Sequence, residues 1–221
     1  MASTFTWLDS VNSTMDEVKT LIVNQQGSNA KGVFAVAARE QVRGRGTKGR
    51  AWIGLPGNVF LTVAIPLDRV PVPLSLIPLR VGTLIAPEIQ RRLKRERSPP
   101  PPGTDEGQQE QQKEQQPMPW PLSSSEQGID SANSRVSLKW PNDVLIGGSK
   151  VAGVLIEAEL PFLLVGIGVN VRHKPDVPRQ GPDRGRSATC LADFGADSTD
   201  EVRVCAARMC FFLCRVLVFS I

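Results

Sequence analysis

The sequence predicts an α+β fold, a mixed or antiparallel β-sheet flanked by helices. Three observations point to it. Short β-branched apolar runs recur along the chain, at Val33–Ala38, Val59–Ile65 and Phe162–Val169. Helical periodicity appears in two separate stretches. The strands between Val136 and Val169 follow one another as hairpins, without the strict strand–helix alternation of a parallel sheet. At 221 residues, 41% apolar and 22% charged, the chain has the composition of a globular protein with a sizeable core.

The elements follow in order. Phe5–Leu8 reads as a short strand. Ser13-Thr14 then opens a helix: Thr14 with Glu17 has capping-box spacing, and Val18, Leu21 and Ile22 follow on one face. VFAVAA (Val33–Ala38) and VFLTVAI (Val59–Ile65) are buried strands, separated by a loop rich in glycine, arginine and lysine. Leu74–Leu93 reads as a helix whose regularity Pro78 and Pro87 limit. VSLKW, starting at Val136, is a strand. Asp143–Ile146 and Lys150–Glu159 form a hairpin about Gly147-Gly148-Ser149. FLLVGIGV (Phe162–Val169) is a strand with internal glycines, which suit the close approach of a ligand or another backbone.

Between these blocks the composition changes. Residues 94–135 run from a basic KRER through four prolines to GQQEQQKEQQ. Such a stretch buries too little apolar surface to offset its ordering entropy and reads as a disordered surface insert. Residues 1–93 and 136–195 make the folded unit. Residues 196–221 form a divergent C-terminal segment. There Val202, Cys205, Ala206, Met209, Leu213 and Val216 keep helical spacing, while Arg208 and Arg215 interrupt any membrane span.

Charge and rare residues narrow the function classes. The net charge of +4 permits anionic ligands without requiring nucleic acid. One histidine, His173, leaves no His-rich metal site and no Ser-His-Asp triad. The cysteines Cys190, Cys205, Cys210 and Cys214 lie in the last 32 residues with no CxxC pair, as expected of reduced thiols in an intracellular protein rather than a disulfide framework. The first residues show no basic stretch leading into an apolar run, so no secretory signal is expected.

Three motifs carry chemistry. The first is Gln41-Val42-Arg43-Gly44-Arg45-Gly46-Thr47-Lys48-Gly49-Arg50-Ala51-Trp52. Its glycines free the backbone to curl, and Arg43, Arg45, Lys48 and Arg50 supply cations, a combination suited to phosphate or carboxylate. Gly44-x-Gly46-x-x-Gly49 matches a dinucleotide fingerprint in letters only, because AWIGLPGNVF opens no helix after it. Taken alone, the loop is equally a flexible basic loop. The second motif is Lys139-Trp140-Pro141-Asn142-Asp143, a strand-end lysine aimed by its strand; alone it is also an ordinary Pro-Asn-Asp turn. The third joins Gly153 to Gly166-Ile167-Gly168-Val169-Asn170, small residues able to floor a pocket, or else a bulged strand ending in a turn.

The combination and order of these segments resemble the catalytic domain of the biotin–protein ligases, in the superfamily shared with lipoate ligases. The resemblance runs from about Trp7 to Phe194, and KWPND followed by KVAGVLIE is its most specific part. It implies a class II synthetase-like fold and an ATP-dependent ligase with Mg²⁺ on the ATP. Such a ligase forms biotinyl-5′-AMP and passes biotin to a lysine on the biotin-carrier domain of a carboxylase. By this likeness Ser13, Thr14, Gln41, backbone at Gly44 and Arg45, and Gly153 would bind biotin, with Val154 along the valeryl chain. Arg45, Lys48 and Lys139 would gather the biotin carboxylate and α-phosphate, Lys139 and Arg45 being the catalytic cations. Trp52, Gly168 and Asn170 would serve the nucleotide, and no residue would bind a metal directly. The likeness implies a cytoplasmic or organellar enzyme with no nucleic-acid or membrane partner. Thr47 stands where bacterial members often carry arginine. The family's usual C-terminal SH3-like domain has no counterpart in residues 196–221. A lipoate or octanoate transferase, and a non-catalytic biotin-binding remnant, are the alternative readings.

Overall fold

A computed structural model describes residues 3–24, 32–52, 54–70, 72–95, 134–177, 187–196, 206–211 and 213–214. The bulk of the low-complexity stretch, 96–133, lies outside the described residues, as do Val202, Cys205 and Val216 of the tail.

Seven strands form one sheet. They are β1 (Ser3–Val11), β2 (Val33–Gln41), β3 (Val59–Pro66), β4 (Val136–Lys139), β5 (Asp143–Ile146), β6 (Ser149–Glu159) and β7 (Phe162–Val169), in the spatial order β1-β2-β3-β7-β6-β5-β4. β1 and β2 are parallel and every other pairing is antiparallel, so the sheet is mixed. The parallel pair follows from helix α1 (Thr14–Asn24), which lies between β1 and β2 in the chain.

Period-2 alternation divides the side chains between two layers. Val59, Leu61, Val63 and Ile65 of β3 and Leu163, Val165, Ile167 and Val169 of β7 enter one core with Ile77, Val81, Ile85, Ile89 and Leu93. Those last five recur every fourth residue along helix α2 (Ile77–Arg95), which covers this face. Ala64, Phe34, Val36, Phe162 and Leu164 point the other way, against Met15, Val18 and Ile22 of α1. The shorter α1 covers only part of its face.

The sheet refines several sequence expectations. β1 runs well past Phe5–Leu8 at both ends. Leu74–Leu76 is a 3₁₀ turn, and the α-helix proper starts at Ile77 and passes through Pro87. It reaches Arg95, two residues beyond the expected end of the folded block. Its buried Glu88 accepts hydrogen bonds from Arg91 and Arg92. The cap of α1 needs correction: Ser13, not Thr14, caps it. Ser13 O accepts the N–H groups of Asp16 and Glu17, and Ser13 Oγ accepts that of Met15 at 3.3 Å. Thr14 is thereby the first helical residue, turned inward. Residues 206–211 and 213–214 are helical, with Ala206, Met209, Cys210 and Leu213 in the α2-side core. Cys190, Cys210 and Cys214 are free thiols.

Candidate active site

The α1-side face carries the motifs because the register aligns them. One cross-strand row reads Leu8, Ala38, Phe60, Gly168, Gly153, Asp143, Lys139, crossing all seven strands. Directly opposed residues share a face. The glycine pair, the aspartate and the lysine of two separate motifs thus lie along one line.

Trp52 covers the glycine pair. A Cβ on Gly168 would fall inside the indole, 2.6 Å from its Nε1, and one on Gly153 would sit 3.1 Å from Cζ3. The glycines are required so that the ring can sit against the sheet. The indole Nε1 is buried without a hydrogen-bond partner among the described residues, which is costly for a donor held away from water. Lys150 places Nζ 5.2 Å from the ring centroid while pairing with Asp143 Oδ1 at 2.6 Å. Its ammonium also passes within 3.1 Å of the position a Gly153 Cβ would take.

The basic loop is folded rather than free. Gln41 N donates to Gly54 O, Trp52 N to Gly44 O and Gly46 N to Arg50 O, closing it as a narrow antiparallel lobe. A Cβ on Gly44 would meet Trp52 O at 2.5 Å and Gln41 Nε2 at 2.8 Å, so glycine is required where the loop crosses itself. Thr47–Gly49 forms a 3₁₀ turn with Lys48 at φ 61°, and this tip is exposed at Lys48 and Arg50.

At the start of α1 lies a buried polar chain. Gln41 Oε1 accepts from Thr14 N at 2.7 Å and from Thr14 Oγ1 at 3.0 Å. Thr14 Oγ1 lies 2.8 Å from Thr62 Oγ1. Since the Thr14 proton goes to Gln41, Thr62 donates to Thr14. Gln41 Nε2 and the Ser13 hydroxyl proton are left as donors beside a mostly apolar floor.

Arg45 is bound by carboxylates on two elements. Its Nη1 and Nη2 donate to Asp16 at 3.0 and 2.7 Å, and its Nε to Glu157 Oε1 at 3.2 Å. Lys19 reaches Glu157 and Glu159 at 3.3 and 3.1 Å. The Arg45 hydrogen bond holds the Asp16 carboxyl below its ordinary value, and Asp16 and Glu157 raise the already high Arg45 value. Burial works to raise Glu157, but the Arg45 and Lys19 donors outweigh it and leave the carboxyl lowered.

A family model described as "Biotin/lipoate A/B protein ligase family" matches residues 7–171. The chain belongs to this family. The biotin–[acetyl-CoA-carboxylase] ligase of Mycobacterium tuberculosis is 29% identical over 185 residues, 83% of this chain and 53% of that protein. That of Paracoccus denitrificans is 29% identical over 146 residues, 64% of this chain and 45% of that one. The chain thus spans about half the length of the curated relatives it matches. Among solved structures, biotin protein ligase from Leishmania major in complex with biotin superposes with a TM-score of 0.64 at 28% identity, covering 98% of this chain and 78% of that one. The Aquifex aeolicus ligase in complex with biotin and ATP gives 0.60 at 25%, covering 97% and 72%. The mixed seven-stranded sheet with its helices is the class II synthetase-like fold of these biotin protein ligases.

Within this family member the expected site residues divide into groups. Ser13, Thr14, Gln41 and Gly44 form the polar cluster, and Trp52, Gly153 and Gly168 form the covered glycine floor. Lys139 is exposed at the end of that row, beside the exposed Trp140. Lys48 stands at the loop tip. Asn170 is buried, with Nδ2 donating to Thr189 O at 3.1 Å and its backbone bonded to Val151 and Leu191, so its amide ties the strand end to residues 187–196. Val154 is a correction: it lies in the α2-side core, because alternation turns it away from Gly153, and Leu155 packs on the site face instead. Sequence reading missed Thr62, Lys150, Asp16 and Glu157. It also missed Asn58, whose Oδ1 accepts the N–H groups of Val171, Arg172 and His173 at 2.9–3.1 Å. Lys150 and Glu157 are the two ends of the KVAGVLIE motif, though the motif alone gives neither a role; for Thr62, Asp16 and Asn58 residue type was the only signal, since their partners lie far away in the chain.

Proposed function

We propose that this chain is an ATP-dependent biotin–protein ligase. A biotin carboxylate oxygen attacks the α-phosphorus of ATP, pyrophosphate leaves, and biotinyl-5′-AMP forms. A neutral lysine amine of a carboxylase biotin-carrier domain then attacks the activated carbonyl. AMP leaves and the amide nitrogen loses its proton.

The observation that carries this reading is the single sheet face. It joins a donor-rich polar cluster at Ser13, Thr14 and Gln41 to a flat aromatic-covered glycine floor and the strand-end Lys139. The cluster suits a ureido group, whose burial without partners would cost about 1–3 kcal/mol per polar group. The Trp52 indole fills that floor, and its outer face would offer a flat nucleobase stacking area. Lys139, Lys48 and Arg45 suit two anions that must meet, and cations there lower the repulsion of the transition state. Among the described residues no three His, Cys, Asp or Glu side chains are grouped to hold a metal ion. On this reading Mg²⁺ would enter on the ATP phosphates. Asp143, engaged by Lys150, and Asn170, engaged by Thr189, would touch it only through water. No helix among the described residues is long and apolar enough to cross a membrane.

Incubation with biotin, MgATP and a biotin-carrier domain tests the reading. The expected outcome is pyrophosphate release and an avidin-reactive carrier. Adenylate formed from lipoate but not biotin would replace the reading with a lipoate transferase. A folded protein releasing no pyrophosphate with either acid would replace it with a non-catalytic remnant.

A further inference from the structure

Arg45 belongs to the loop that must present cations to the ligand, yet its guanidinium is already engaged. Asp16 takes one N–H from each terminal nitrogen and Glu157 takes the Nε–H. A guanidinium has five N–H groups, so one remains on each terminal nitrogen. The two carboxylates come from different parts of the site. Asp16 lies in the first turn of α1, two residues after Thr14 of the polar cluster. Glu157 lies on β6, on the same face as Gly153 four residues earlier. Elsewhere the loop is held by main-chain bonds near its base: Gln41 to Gly54, Val42 to Val11, Arg43 to Asn12 and Trp52 to Gly44. Gln41 ties the start of the loop to Thr14, and Trp52 packs its end on Gly153; among the described residues between them, Arg45 is the side chain that reaches both α1 and β6.

Charge shows what this fastening does. Arg45 and Lys19 face three carboxylates, Asp16, Glu157 and Glu159. The three carboxylates offset the Arg45 and Lys19 charges, so what they add is placement of the remaining Arg45 N–H groups rather than a stronger pull on a polyanion. Their effect on Arg45 is geometric: the bidentate Asp16 contact and the Glu157 contact fix the plane of the fork.

We propose that Asp16 and Glu157 are positioning residues that hold Arg45, and through it the glycine loop, in place over the site. The inference rests on the adenylation reading above for its kinetic consequence but not for its structural one. A guanidinium held in place orients the reacting groups and speeds the chemical step, whereas a loosely held cation contributes chiefly to anion attraction. Replacing both carboxylates by amides therefore separates the two effects.

The experiment compares the full chain with Asp16→Asn/Glu157→Gln and with Arg45→Lys, which keeps the charge but cannot form the bidentate fork. Loop release is read as the rate of limited trypsin cleavage within residues 43–50. Both variants should be cut about 5–20-fold faster, the scale set by losing two or three charge-assisted contacts at a half-exposed site. In biotin-dependent pyrophosphate release, Asp16→Asn/Glu157→Gln should lose about tenfold or more in kcat while KM for ATP stays level or falls, with the melting temperature unchanged. A purely structural role would instead lower the melting temperature and the active fraction together. Should the double variant not fold, Arg45→Lys decides on cleavage alone. Wild-type cleavage rates in both variants, or in Arg45→Lys alone in that event, would overturn the proposal. If the wild-type chain releases no pyrophosphate, the adenylation reading fails while cleavage still tests the clamp.

Discussion

The two faces of the sheet are built from the same strands, yet they do different work. On the α2 side, every inward residue of β3 and β7 is a large or β-branched apolar group meeting a fourfold-spaced aliphatic ridge. On the α1 side, those strands offer Thr62, Gly166 and Gly168, and the covering helix stops short. One face is filled by aliphatic side chains and supplies stability. The other has places where the side chain is missing or polar, and there the loop, the indole and the cations come in. Alternation with period two lets one strand serve both purposes, because adjacent residues never share a face.

Substitutions on each face should therefore separate stability from chemistry. The largest effect is expected from Ile85→Ala, which opens a cavity under the sheet and should cost about 2–5 kcal/mol. Chemical denaturation would measure it, and biotin affinity of the folded protein should be unchanged. A loss of affinity matching the loss of stability would show that the faces are not independent. Lys139→Ala is the converse: a fall in turnover of on the order of 10²–10³-fold with an unchanged denaturation midpoint, since this side chain is exposed. Near-normal pyrophosphate release would reduce Lys139 to a strand-end residue. Gly168→Ala should have a smaller effect, touching both stability and the site. The new methyl group displaces the indole at a cost of about 1–3 kcal/mol and should shift tryptophan emission to longer wavelength as Trp52 leaves the sheet. Emission identical to wild type would mean that the ring and the methyl group coexist.

The smallest effect concerns pH. Burial favours protonation of Asp193, but donors from Lys174, Thr189 and the Cys190 backbone outweigh it and hold the carboxyl at about 2, from an ordinary value of 3.8. A group lowered in the folded state stabilises it fully above the ordinary value and loses that contribution as pH falls toward the folded one. Unfolding midpoints should therefore decline between about pH 4 and pH 2 by more in the wild type than in Asp193→Asn. Equal declines would show that the aspartate contributes nothing there.

Much of this was legible from residue order. Apolar runs located the strands, and Ser13-Thr14 located the helix start. The glycines of the third motif fit either a pocket floor or a bulged strand in sequence, and the register sets Gly153 opposite Gly168 beneath Trp52. What the sequence did not yield depended on parity and partnership. Val154 was placed on the wrong face because its neighbour Gly153 was not used to set the alternation. The Arg45 guanidinium was read as a bare cation because Asp16 and Glu157 lie 29 and 112 residues away along the chain. Asn58 carries no signal of its own in sequence; that its one oxygen serves three successive N–H groups follows only from the path of residues 171–173.

The indole resting on Gly153 and Gly168 makes positions 52, 153 and 168 a single unit of change. A side chain larger than glycine at either strand position would be tolerated only if position 52 shrank. A smaller residue at 52 would bare the two glycines that make room for the indole. Variation at these three sites should therefore arrive in compensating sets. Engineering for altered nucleotide or acid selectivity would have to begin with all three together, with the neighbouring Lys150 as the fourth member whose ammonium shares the same space.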